Sequence, residues 1–94
     1  MEGFVDVATA FGLVLRNVRK QASLTQEQLA LQCGYQRNYI SLMERGHNQP
    51  TLETLLSLAS ALHCDPADLV VETVRVLGSD SVSVRASGVG WARL

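Results

Sequence analysis

The chain has 94 residues, is 47% hydrophobic and 5% aromatic, and carries a formal net charge of −1. That length suits one domain with a modest aliphatic core, and the apolar content is too high for a disordered segment. The near-neutral charge argues against a protein that coats nucleic acid by bulk charge, and two cysteines, Cys33 and Cys64, do not make a disulfide framework. There is no secretory leader pattern and no apolar run long enough to span a membrane, so a reduced, cytoplasmic protein is expected.

Asp6 is placed to cap a first helix running to about Gln21. Ala8, Phe11, Leu15, Val18 and Ala22 follow a helical spacing and make its expected buried stripe. Arg19 and Lys20 at its end suit the helix dipole. Ala22, Ser23 and Leu24 form a connection, with Leu24 expected to plug the core.

Thr25 is a good cap for a second helix, with Gln26, Glu27 and Gln28 in its first turn. Leu29, Ala30 and Cys33 recur at helical spacing, and Gly34 stops the pattern in the left-handed conformation that glycine adopts at little cost. A third helix is expected over about residues 36–45. Ile40, Met43 and Glu44 share its inner face; Arg37, Asn38, Ser41, Leu42 and Arg45 lie on or beside the outer one. Two short helices about a tight glycine turn, the second with a polar outer face, make a helix-turn-helix.

Arg45 to Pro50 reads as a loop. Thr51 caps a fourth helix, with Leu52, Leu55, Ala59 and Leu62 as its expected inner face and Leu56 and Leu58 on the flanks. Asp65 followed by Pro66 is a strong start for a fifth helix. Leu69 is expected to face the core, and Gly78 ends the helix. Val70, Val74 and Leu77 form a second apolar ridge that the body does not need. Together with Leu58 it is the expected surface for a second copy of the chain; the alternative is that the tail, with Trp91, folds back and covers it. Residues 79–94 turn Ser- and Gly-rich. Val82 and Val84 alternate with polar residues as a short strand does, so this tail is expected either to be flexible or to be held by the body or a dimer partner.

Charge is unevenly placed. Residues 16–50 carry a net charge of +3, from five basic and two acidic residues, and residues 51–72 carry −4. One basic and one acidic face are expected, although ordinary surface charge fits too.

With these segments laid out, the chain resembles the Cro/phage-repressor family of Xre-like helix-turn-helix transcriptional regulators. The motifs are LTQEQLA, then Gly34 with Tyr39-Ile40-Ser41 and Met43-Glu44-Arg45-Gly46, then Pro50-Thr51-Leu52-Glu53-Thr54-Leu55-Leu56 and the leucines after it. They cover about residues 11–71, in order and with family-like spacing. The short chain and the turn through Tyr39-Ile40-Ser41 and Glu44-Arg45 also look like the controller proteins of restriction–modification systems. The resemblance implies an all-α, five-helix repressor-like domain over residues 1–78, with residues 79–94 as the tail. Gln36 departs from the family's usual Ser or Thr cap, so the third helix is expected to be less well capped.

The resemblance also implies double-stranded DNA as partner, with the third helix in the major groove and its N-terminal end nearest the bases. Base contacts are then expected from Arg37, Asn38, Ser41 and Leu42. Arginine matches guanine O6 and N7, asparagine matches adenine N6 and N7, and Leu42 suits a thymine methyl. Backbone phosphate contacts are expected from Gln26, which the resemblance carries over as an anchor, and from Gln36, Arg45, His47 and Asn48. Tyr39 has two readings: hydroxyl to phosphate, or ring against the second helix. Glu44 lies on an inner face, where a carboxylate must be paired. The family's partner for it aligns with Arg19, which implies a structural ion pair; the alternative has Arg19 on phosphate and Glu44 half exposed.

A homodimer on a pseudo-palindromic site follows from the small footprint of one helix. The rival reading is an antitoxin-like protein-interaction module in which DNA binding is secondary. No metal-ligand spacing, glycine-rich phosphate loop, serine elbow or acidic pair appears, so no enzyme activity, metal or cofactor is expected.

Overall fold

Capping chemistry marks where four of the five helices begin. The computed structural model describes residues 5–78, which form five α-helices: α1 (Val7–Gln21), α2 (Gln26–Cys33), α3 (Arg37–Glu44), α4 (Leu52–Ala61) and α5 (Pro66–Leu77). The expected tail and its strand at residues 79–94 lie outside the described residues. Asp6 accepts from Thr9 N–H at 2.8 Å, and that bond holds the Asp6 carboxyl below its ordinary value. Thr25 and Gln28 form a reciprocal capping box, Thr51 accepts from Thr54 N–H, and Asp65 accepts from Ala67 N–H with Pro66 following. Gln36 opens α3 with no side-chain cap.

Three helix ends share one device. After α1, α3 and α4 the N–H groups of two successive residues turn back onto carbonyls of the last turn: Ser23 to Lys20 and Leu24 to Arg19, Gly46 to Met43 and His47 to Leu42, His63 to Ser60 and Cys64 to Ala59. The residue at the bend must be left-handed. Gly46 (φ 79°) takes this conformation freely, whereas Ser23 (φ 62°) and His63 (φ 56°) are strained there. His63 is exposed. His63→Gly is therefore expected to stabilise the domain by about 1 kcal/mol, raising the melting temperature by about 4–8 °C. An unchanged midpoint would show that the bend stores no strain.

The core gathers Phe11, Val14 and Leu15 of α1, Leu29 and Ala30 of α2, Ile40 and Met43 of α3, Leu58, Ala59, Ala61 and Leu62 of α4, and Leu69 of α5. Val18, Leu24, Cys33, Tyr39, Leu55 and Cys64 pack at its margin. Helix α1 lies against α3 and α5, α2 against α3 and α4, and α4 against α5. Because α1 serves two neighbours, its buried face is wider than one stripe: Ala10, Gly12, Val14 and Arg19 join it, whereas Ala22 is exposed.

The fourth helix corrects the sequence reading. Leu58 is fully buried and is a core residue, so it belongs to no dimer surface. Leu52, expected inside, is 72% exposed. A helix this rich in leucine carries several apolar stripes of equal quality. The one that faces inward runs through Thr54, Leu58, Ala61 and Leu62. It buries a threonine because the Thr54 hydroxyl is satisfied by Thr51 Oγ1 at 3.0 Å and the Tyr35 hydroxyl at 3.2 Å. On α5, Val70 and Val74 are exposed, as are Val71 and Val76. Leu77 is half-buried. No helix among the described residues is long and apolar enough to cross a membrane.

Candidate nucleic-acid interface

Helix α3 is held from behind so that its outer face is free. Ile40 and Met43 are fully buried beneath it. Glycines let its C-terminal end close onto α1. A Cβ on Gly12 would collide with the backbone carbonyl oxygens of Met43 and Glu44, the latter at 2.7 Å. A Cβ on Gly46, just past α3, would sit 2.9 Å from Thr9 Oγ1 and 3.0 Å from Thr9 Cα. Backbone-to-backbone approach of this kind is why glycine stands inside α1, where it otherwise costs about 1 kcal/mol of helix stability relative to alanine.

Polar bonds complete the attachment. Arg19 Nε meets Glu44 Oε2 at 2.5 Å, Arg19 Nη2 donates to Glu44 Oε1 at 3.0 Å, and the two side chains are 10% and 3% exposed. The Glu44 carboxylate pushes the Arg19 guanidinium above its ordinary value, so the cation persists at any ordinary pH. Arg19 Nη1 also donates to Leu24 O at 2.8 Å, which ties the α1–α2 connection to the same charge. The two residues thus meet directly, and Glu44 is buried.

The outer side carries the other candidate residues. Arg37 and Asn38 are exposed in the first turn of α3; Ser41 and Leu42, one turn on, are half-buried. Gln36, Arg45 and His47 are exposed, and Asn48 is half-buried in the loop after α3. Tyr39 is half-buried and packs against the core, with its ring edge-on to Tyr35 at a centroid distance of 5.4 Å. Tyr35 in turn bonds to Thr54, so the turn between α2 and α3 is pinned to the start of α4.

Two of these links escaped the sequence reading. One is the Tyr35–Thr54 bond, which no spacing announces. The other is Gln26, whose side-chain Nε2 donates to Glu44 Oε1 at 3.0 Å. The anchor assigned to phosphate is thus bonded to the ion pair of α1 and α3. The sequence reading also passed over Gly12, although a glycine inside a helical pattern is itself a sign of close packing.

The balance of exposed charge shifts from basic to acidic along the chain. Arg16, Lys20, Arg37 and Arg45 are exposed on α1, α3 and the turn after α3, with exposed Asp6 and Glu27 beside them, whereas exposed Glu53, Asp65, Asp68 and Glu72 lie on α4, α5 and the turn between them, with Arg75 as the exposed cation there. Glu72 pairs with Arg75 at 3.1 Å on the surface, a bond worth little in water. Burial pushes the Cys33 and Cys64 thiols up, away from the reactive thiolate. Among the described residues no group of three or more His, Cys, Asp or Glu is placed to hold a metal ion.

Comparison with known proteins agrees with this geometry. The helix-turn-helix family matches over residues 15–69. The HTH-type transcriptional regulator y4dJ of Sinorhizobium fredii is 35% identical over 69 residues, 73% of this chain and 90% of that protein. The crystal structure of the clp gene regulator ClgR from C. glutamicum superposes with a TM-score of 0.78 at 27% identity, covering 83% of this chain and 100% of that one. The restriction–modification controller protein C.AhdI from Aeromonas hydrophila superposes with a TM-score of 0.64 at 39% identity, over 66% of this chain and 94% of its own. Five helices, a helix-turn-helix at α2–α3 and these relatives agree: the chain belongs to the Xre-like helix-turn-helix transcriptional regulators, a DNA-binding and non-enzymatic family.

Proposed function

We propose that the chain binds double-stranded DNA sequence-specifically as a cytoplasmic homodimer, with α3 of each copy in the major groove of a pseudo-palindromic operator. The observation that carries this reading is the division of α3: its inner side is fastened by Ile40, Met43 and Glu44, while Arg37 and Asn38 are exposed at its N-terminal end. Arg37, Asn38, Ser41 and Leu42 read bases. Gln26, Gln36, Arg45, His47 and Asn48 hold phosphates, and Tyr39 both braces α3 against the core and offers its hydroxyl to the backbone. The Arg19–Glu44 pair sets the angle of α3 without touching a base.

Arg37→Ala tests the reading. It is expected to weaken binding to the preferred duplex by about 1–3 kcal/mol and to relax preference at one base position. Equal weakening on every sequence would make Arg37 a phosphate contact instead. An Arg37→Ala variant with full biological activity would favour the rival protein-interaction reading, which draws on the exposed valines of α5.

The dimer half of the proposal rests on those valines. Val70 and Val74 are 48% and 36% exposed, and with half-buried Leu77 they form one ridge on α5. Val74→Glu is expected to shift sedimentation from dimer to monomer and to weaken operator binding. A variant that sediments like the unaltered protein would remove this ridge as the interface.

A further inference from the structure

Glu44 has more partners than an ion pair needs. Arg19 engages both carboxylate oxygens from α1, and Gln26 Nε2 of α2 adds a third bond to Oε1 at 3.0 Å. A primary amide carries two N–H hydrogens. Glu44 takes one, and Gln26 Nε2 has no other acceptor among the described residues. The backbone next to it is equally selective. The capping box consumes the N–H groups of Thr25 and Gln28, at 2.8 and 3.0 Å. The N–H groups of Gln26 and Glu27 have no acceptor among the described residues. One turn of α2 therefore offers two backbone donors and one side-chain donor, and the side-chain donor is fixed by a buried carboxylate.

We propose that Glu44, backed by Arg19, is the positioning residue for Gln26, holding its amide so that the second Nε2 hydrogen joins the free N–H groups of α2 on one DNA phosphate. The ion pair that seats α3 thereby also sets the phosphate contact of α2, and the reading helix and the anchoring helix are placed by a single carboxylate. A glutamine free on the surface loses rotamer freedom when it binds; here that freedom is already lost in folding. This inference rests on the DNA-binding reading above.

The test uses a selected duplex carrying one neutral methylphosphonate at each phosphate in turn. At one phosphate the unaltered protein should lose about tenfold in affinity, as expected for a charge-assisted bond. Gln26→Ala should lose most of that sensitivity, keeping only the part that the two backbone N–H groups supply. The double variant Arg19→Met, Glu44→Met should lose the same sensitivity while still folding, and Glu44→Gln, which keeps an acceptor oxygen for Gln26, should retain most of it. A folded double variant with the sensitivity of the unaltered protein overturns the positioning role. If the duplex is bound but no phosphate answers to Gln26→Ala, the Gln26 contact fails and this inference with it, while base reading by α3 stands. If no duplex is bound, the DNA reading itself fails. A measurement on the unaltered protein covers the case in which the double variant does not fold. Without DNA, the Gln26 side-chain amide should be as ordered as rigid backbone, with an order parameter near about 0.85; a value below about 0.6, as for a free surface side chain, overturns the proposal.

Discussion

Gly12→Ala is expected to destabilise the domain by about 3 kcal/mol or more. Two effects oppose each other at this position. Alanine improves helix propensity by about 1 kcal/mol. The added Cβ, however, runs into the backbone carbonyl oxygens of Met43 and Glu44. Neither atom can rotate away as a side chain does, so α1 and α3 must separate. Separation also strains the Arg19–Glu44 bonds, which span the same two helices. The clash therefore wins. Gly34→Ala is the control: its Cβ meets nothing within 4 Å, so only the cost of a left-handed alanine remains, about 1 kcal/mol. Urea midpoints of the two variants check the ranking, and a Gly12→Ala protein as stable as the parent would mean that the helices do not approach so closely.

Glu44→Ala is expected to cost about 3–5 kcal/mol, because it strands the Arg19 cation in a site where the side chain is 10% exposed. Against a typical domain stability of about 5–15 kcal/mol, that is a large fraction of the whole. The loss is not the net worth of the pair, most of which offsets the desolvation of two charges. Arg19→Met with Glu44→Met should accordingly recover most of the stability, since apolar side chains of similar volume replace both charges at once. Denaturant unfolding of Glu44→Ala and of the double variant separates these terms. A double variant as unstable as Glu44→Ala would mean that the ion pair itself, not the unpaired charge, carries the stability.

The fold was largely legible because its signals are local. Asp6, Thr25, Thr51 and Asp65 cap helices in the structure, and Gly34 and Gly78 end them. The family motifs then ordered five helices about one core. What stayed out of reach was the rotation of a helix that is apolar on several sides: in α4 the choice between a Leu52 stripe and a Leu58 stripe depends on what packs opposite, and a buried Thr54 is acceptable only once Tyr35 reaches it. The candidate interface divides in the same way. An inner-face carboxylate at Glu44 demands a partner, and the resemblance pointed to Arg19. The Gln26–Glu44 bond joins residues 18 apart in sequence, through side chains whose spacing carries no periodic signal. Exposure of Arg37 and Asn38 followed from helical period alone.

Selection of bound duplexes from a random pool tests DNA recognition most directly. The expected product is an inverted repeat whose half-sites lie about 34–36 Å apart, one helical turn, with affinity falling steeply as salt rises. A pool that yields no enriched sequence, even at low salt, would contradict it.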